Sequence, residues 1–311
     1  GITGLGALTI KSGHGVDVMS PITGAGALNI TALGGITLSG ASGTSIVMAG
    51  DDGITINGDL TSTSQPLDIN ADANNDGMGT LTLAMGKKVT TTNQDLTIRA
   101  ADIDLQGGSL LDAGTASITV LQNKAAAAWL GNSAGALAGD LKLSQDEMLA
   151  FKASTVTIGG ANTTTLNVDG VNLGATNTVT GQLWLVGNEI DIAAGGLNSG
   201  VAALGLARGS TGTIGVGNAA GDMMLTGAEL SRITAPSLTI GGGATTNITV
   251  DGVAASDVAG IAGTVNLVAP QLLTFSGGAS VFKDVFGRGG TGVNANANVS
   301  TTTGDLVLTT G

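Results

Sequence analysis

The chain repeats itself. Residues 153–196 align without a gap on residues 235–278, with 16 identities over 44 positions at an offset of 82 residues. The same register sets Glu147-Met-Leu-Ala-Phe151 opposite Glu229-Leu-Ser-Arg-Ile233, and Ser144-x-x-Glu147 opposite Thr226-x-x-Glu229. A Gly-Asp-apolar marker at Asp59, Asp140, Asp222 and Asp305 carries the period through the chain in steps of 81, 82 and 83 residues. A fixed period of this size means that each unit buries its apolar face against its neighbours. The units read as 1–58 (partial), 59–139, 140–221, 222–304 and 305–311 (start of the next), in one continuous body over 1–311. Repeat-like sequence starts at Gly1 with no initiator Met and no basic-then-apolar leader, so the chain reads as a segment of something longer.

Within each unit lie apolar-x-apolar triplets, among them Leu8-Thr-Ile10, Leu28-Asn-Ile30, Ile54-Thr-Ile56, Leu96-Thr-Ile98, Leu166-Asn-Val168, Ile190-Asp-Ile192 and Ile248-Thr-Val250. Alternate side chains of a strand face opposite sides, so the outer two residues point inward and the central Thr, Asn or Asp points to solvent. Gly or Asn then turns the chain within a few residues. Strands this short fit a sandwich, a propeller or a solenoid, but a propeller blade needs a shorter period with aromatic markers and a sandwich needs longer strands. The expectation is an all-β parallel β-helix (β-solenoid) built from repeats of about 82 residues, each of three or four coils.

Composition agrees with a narrow aliphatic core. Of 311 residues, 53 are Gly and only two Trp and four Phe are aromatic, yet 42% are hydrophobic, so the chain can bury apolar surface without large rings and is not disordered. No apolar run approaches the roughly 18–20 residues that cross a bilayer, so no membrane insertion of this segment is expected. Cys is absent, which excludes disulfides and thiolate metal sites. A net charge of −12 with eleven Lys and Arg excludes nucleic acid as a partner, because phosphate binding draws on clustered cations.

The succession Glu229-Leu-x-x-Ile233-x-Ala-x-x-Leu238-x-Ile240-Gly, repeated in drifted form from Glu147 to Gly159 and followed by Val-Asp-Gly segments, resembles the repeat region of filamentous-haemagglutinin-like proteins. The resemblance implies a large secreted bacterial surface adhesin or fibre of β-helix fold. It implies a location outside the cell or on its surface. The family's secretion domain carries an Asn-Pro motif near its start, and no Asn-Pro occurs in this chain.

Candidate sites are few. Asp72-Ala-Asn74-Asn-Asp76-Gly77 fits the start of a calcium loop, in which alternate oxygens and a Gly turn wrap a hard cation. The twelfth position is Leu83 instead of Glu, and a tight turn selects Asp, Asn and Gly on its own account, so Asp72, Asn74 and Asp76 offer calcium half a site. No other cofactor is implied. For polysaccharide cleavage, Arg99, Asp102 and Asp104 are the best cluster of carboxylates with a basic residue. Asp104 is the centre of a triplet and Asp191 sits at the matching place in Ile190-Asp-Ile192, the pattern of a solvated face. His14, the one histidine, lies in a Ser-Gly-His-Gly turn. Trp184, at the centre of Leu183-Trp-Leu185, points an indole outward that can stack on a sugar or a neighbouring chain unless a loop covers it; Trp129 is expected to plug the core or a loop.

Function divides two ways. A structural or adhesive extracellular fibre or cell-surface rod, with no chemistry of its own, predicts equivalent positions repeating along the chain; a β-helix polysaccharide-binding or polysaccharide-cleaving protein predicts a local cluster that breaks the repeat. The chain mostly repeats, so it is not expected to be an enzyme. The partners expected are copies of itself, joined end to end, and glycans of a host or neighbouring-cell surface.

Overall fold

A computed structural model describes residues 2–4, 6–174 and 178–311 of the chain. Gly1, which the repeat boundary and the end-to-end expectation use, lies outside the described residues. The triplets become strands with the alternation that their chemistry demands. In Ile36–Leu38 and Ile54–Ile56 the outer residues are buried and the central Thr37 and Thr55 half-buried. The chain divides into two compact units, one of residues 1–128, 133–158 and 178–181 and the other of 129–132, 159–177 and 182–311.

Among the described residues of the first unit the strands pair in parallel, and like sits on like. Leu28 and Ile30 pair with Ile46 and Met48, these with Leu67 and Ile69, these with Leu96 and Ile98, and these with Ile118 and Val120. Nearly all of these side chains are fully buried, and burial of each such aliphatic contributes about 1.5–3 kcal/mol. A second ladder joins Val16–Val18, Ile36–Leu38, Ile54–Ile56, Thr80–Leu83 and Asp102–Leu105.

The expected β-solenoid is corrected by how the first ladder closes. Ala41–Gly50 pairs through its first residues with Leu60–Ser62 and through its later ones with Leu67–Asn70. Phe151–Gly159 likewise pairs with both Leu110–Asp112 and Ser117–Leu121. Lys88–Thr91 and Leu96–Arg99 complete the two sides. The result is a closed ring of eight parallel strands, barrel-like in its pairing, accompanied by smaller sheets. The physical reason lies in strand length: 10 residues in Ala41–Gly50 and 9 in Phe151–Gly159 run on where a triplet would turn, so each hydrogen-bonds two shorter strands side by side. With the ring in place, the β-helix description and the adhesive-filament description that rested on it are withdrawn.

In the second unit, Gln182–Gly187 of the strand Thr178–Gly187, then Ala203–Arg208, Leu238–Gly241, Val265–Ala269, Val285–Gly289 and Leu306–Thr310 pair in that order, again in parallel. Leu183, Leu204, Leu238, Val265 and Val285 form one buried column across them. Beside it Gly212–Gly217, Thr245–Asp251, Leu272–Phe275 and Gly292–Ala295 form a shorter ladder.

The repeat is most visible at its capping boxes. Ser144 and Thr226 each cap a four-residue helix, Gln145–Met148 and Gly227–Leu230, with both reciprocal bonds of the box made. Each glutamate then uses its second oxygen outside the helix. Glu147 Oε1 accepts from the Leu105 N–H at 3.0 Å, and Glu229 Oε1 from the Ile192 N–H at 3.3 Å.

Candidate functional site

The Asp72 loop folds around its own side chains. Asn75 and Gly77 adopt left-handed backbone, with φ of 60° and 80°, which Asn and Gly tolerate best. The Asp72 carboxylate, fully buried, accepts from the Gly77 N–H at 3.2 and 3.3 Å through its two oxygens. Asn74 donates its amide to Asp76 Oδ2 at 2.9 Å, and Asp76 Oδ1 accepts from the Met78 N–H at 2.9 Å. Asn123 ties the loop down, donating to the Asp72 carbonyl at 2.6 Å and to Asn70 Oδ1 at 2.8 Å. Burial pushes the Asp72 carboxyl above its ordinary range; the Gly77 N–H opposes this and the neighbouring Asp76 adds to it.

The three calcium candidates are therefore adjacent, and Asp72 and Asp76 already spend their carboxylate oxygens on N–H donors. Among the described residues no group of three or more His, Cys, Asp and Glu side chains is placed to hold a metal ion.

Beside this loop opens a cleft of about 370 Å³, lined by Asp76, Met78, Lys124, Leu137 and Asp140 among others. Sequence reasoning missed it, since its walls come from residues about 48–64 positions apart whose only common signal is the Asp140 marker. Met78 and Leu137 stand 74% and 73% exposed at its rim. The Lys124 ammonium donates to the Asp76 carbonyl at 2.7 Å. Asp140 is buried and accepts from the Ala127 and Leu137 N–H groups at 3.2 and 2.7 Å. Its carboxylate holds the walls together.

The proposed catalytic cluster does not assemble. Arg99 forms a two-pronged bond to Asp68, at 2.7 and 2.9 Å, while Asp102 pairs with Lys142 at 2.7 Å. Asp104 and Asp191 are exposed on outer faces as their triplet positions predict. His14 is exposed, and its backbone N–H bonds Ser12 Oγ at 3.1 Å.

Trp184 lies on the outer face of its strand, directly opposite Gly205 in the next. A Cβ at Gly205 would stand 2.2 Å from the indole Cε3, so the ring lies against the bare backbone there and is half-buried. One aromatic face is thereby used within the unit. Trp129 departs from expectation: it takes a half-buried outward position in Ala126–Gly131, whose Ala128 and Leu130 are the buried residues.

A pattern emerges when the acidic groups are taken together. Asp59 accepts from the Lys88 N–H, Asp95 from Ser117, Asp102 from Lys142, Asp169 from Gly195, Glu189 from Met224 and Asp251 from Gly278. Each joins residues 22 to 40 positions apart in sequence. Charge-assisted bonds of this kind are the stronger sort, and they spend carboxylates on neighbouring backbone. At Glu189 the arrangement lacks the cation that Lys142 gives Asp102, since Met224 stands in its place; burial pushes the Glu189 carboxyl upward.

No family model, curated protein or solved structure matches the chain. The likeness to filamentous-haemagglutinin-like repeats thus rests on the quoted residues alone. Among the described residues no helix is long and apolar enough to cross a membrane.

Proposed function

We propose that this chain is a structural protein of a bacterial exterior, without chemistry of its own, that joins copies of itself through strand edges. The observation that carries the reading is the use of carboxylates as backbone clamps: the groups best suited to acid–base work are spent on holding adjacent strands, and Arg99 and Asp102 are engaged in separate ion pairs while Asp104 stands exposed. The extracellular setting is supported by the sequence resemblance.

Two strands offer edges for pairing. Leu306–Thr310 pairs only with Val285–Gly289, and Ala7–Ser12 only with Ile22–Ala32, among the described residues. Leu306 and Val307 are 43% and 39% exposed. An uncovered edge is a row of donors and acceptors ready for another strand. Sedimentation velocity over a wide concentration range tests the proposal. Reversible, concentration-dependent association that is abolished by proline in Leu306–Thr310 is expected; a species that stays monomeric at every concentration overturns it.

A further inference from the structure

Trp184 breaks the repeat. In the 82-residue register its place is taken by Asn266. The residue beside Asn266 on the next strand is Phe286, whereas the one beside Trp184 is Gly205. A position that recurs with the period serves the architecture, and the Trp184–Gly205 pair does not recur one period on.

Gly205 lets the indole lie down. A Cβ at Gly205 would point outward from the sheet and stand 2.2, 2.4 and 2.5 Å from Cε3, Cδ2 and Cζ3 of Trp184. Near-equal distances to three adjoining ring atoms put that point over the face of the six-membered ring, because a point beyond the ring edge would be much farther from the outer two atoms than from the middle one. The ring therefore lies flat on the strand surface, with one face on the Gly205 backbone and the other turned away from the sheet. It is half-buried, and its Nε1–H has no hydrogen-bond partner among the described residues.

The surroundings are polar without charge. Gln182 lies two residues before Trp184 on the same face of its strand, and Thr239 lies one strand beyond Gly205, about 4.8 Å farther on. Both are half-buried, and neither the Gln182 amide nor the Thr239 hydroxyl has a hydrogen-bond partner among the described residues. The outward positions of Gln182–Gly187, Ala203–Arg208 and Leu238–Gly241 carry no Asp, Glu, Lys or Arg. An aromatic face is electron-rich and attracts polarised C–H groups, while the amide, hydroxyl and indole N–H around it can exchange hydrogen bonds with hydroxyls. A neutral pyranose with equatorial hydroxyls presents that combination, with axial C–H groups over both ring faces and hydroxyls around its edge. A charged ligand would find no counter-ion here, and a wholly apolar partner would leave three polar groups unpaired.

We propose that Trp184, Gln182 and Thr239 form a platform on which a neutral sugar ring of a glycan stacks, with β-linked glucose or N-acetylglucosamine as the class that fits. Gly205 is a positioning residue, acting through the indole that it allows to lie flat. The inference goes beyond the structural role above and does not depend on it, since an associated and a monomeric chain carry the same platform.

Titration of the whole chain with cellohexaose, chitohexaose and a galacturonate hexamer tests it, followed by calorimetry and, in a Trp129→Phe background, by the emission of Trp184. Saturable binding of cellohexaose or chitohexaose with a change in that emission is expected. By calorimetry Trp184→Ala should weaken the affinity at least tenfold, and Gly205→Ala should weaken it several-fold by lifting the ring. The Trp184 Nε1–H resonance should also move on titration of the unaltered chain, a readout that needs no variant. No saturation with either neutral hexamer, tighter binding of the galacturonate hexamer, or binding by Trp184→Ala within twofold of the parent overturns the proposal. Emission that follows protein concentration and ignores sugar assigns the face to a second copy of the chain and overturns it as well.

Discussion

Single residues show how the outer faces are governed by what lies opposite. Trp184 rests where it does because Gly205 has no side chain. Gly205→Ala should force the indole off the strand, costing about 1–3 kcal/mol as overpacking does, and should shift Trp emission to the red in a Trp129→Phe background. Unchanged emission would show that the ring never depended on the glycine. Asp72 is the converse case, a charge held in a buried place. Its raised carboxyl pKa means that the folded state binds a proton more readily than the unfolded chain. Stability from that proton is present at low pH and lost as pH rises through the folded value. Asp72→Asn keeps an acceptor for the Gly77 N–H and removes the charge. Its melting temperature should equal or exceed that of the parent at pH 7, with the gap closing toward about pH 4. If millimolar calcium raises the melting temperature of the parent and leaves Asp72→Asn unmoved, the loop is a cation site after all.

At the scale of elements, the capping boxes do more than start a helix of four residues. Glu229 closes the box at Thr226 and also receives the Ile192 N–H, so one side chain pins a strand to a helical turn 37 residues away. Glu229→Ala should lose a cap worth about 1 kcal/mol and leave a strand-end donor unpaired at about 1–3 kcal/mol. Urea unfolding should therefore show a loss of about 2–4 kcal/mol. A change below about 0.5 kcal/mol, the usual range for a neutral surface substitution, would show that the second bond is not made in solution. The capping boxes themselves were legible in the sequence, because Ser/Thr-x-x-Glu is a local signature. The partners Leu105 and Ile192 were not, because the second oxygen reaches across chain distances that no local spacing encodes.

At the scale of the whole molecule, charge and edges oppose each other. Copies of a chain of net charge −12 repel, while unpaired edges such as Leu306–Thr310 attract. Salt screens the repulsion, with a screening length of about 10 Å near 0.1 M, and leaves backbone pairing largely intact. The self-association proposed above should thus strengthen as salt is raised, read as a growing sedimentation coefficient at fixed protein concentration. Association that dissolves in salt would point to ion pairs at the contact and away from strand edges.

The sequence by itself determined that the protein is β, which residues of each triplet face inward, and where the helical turns recur. Those properties follow from alternation and from capping chemistry, which act over two to four residues. Tertiary structure alone decided that Ala41–Gly50 and Phe151–Gly159 each serve two neighbours and close a ring, because pairing between distant strands depends on register and length together. It also decided the fate of the two Arg-Gly-x-Thr-Gly stretches that start at Arg208 and Arg288, because Leu204 stacks through Leu238 and Val265 onto Val285, which puts Arg208 on the inward face of its strand and Arg288 on the outward face of its own. A side chain's partners are set by what the fold brings beside it, and identical local sequence cannot record that.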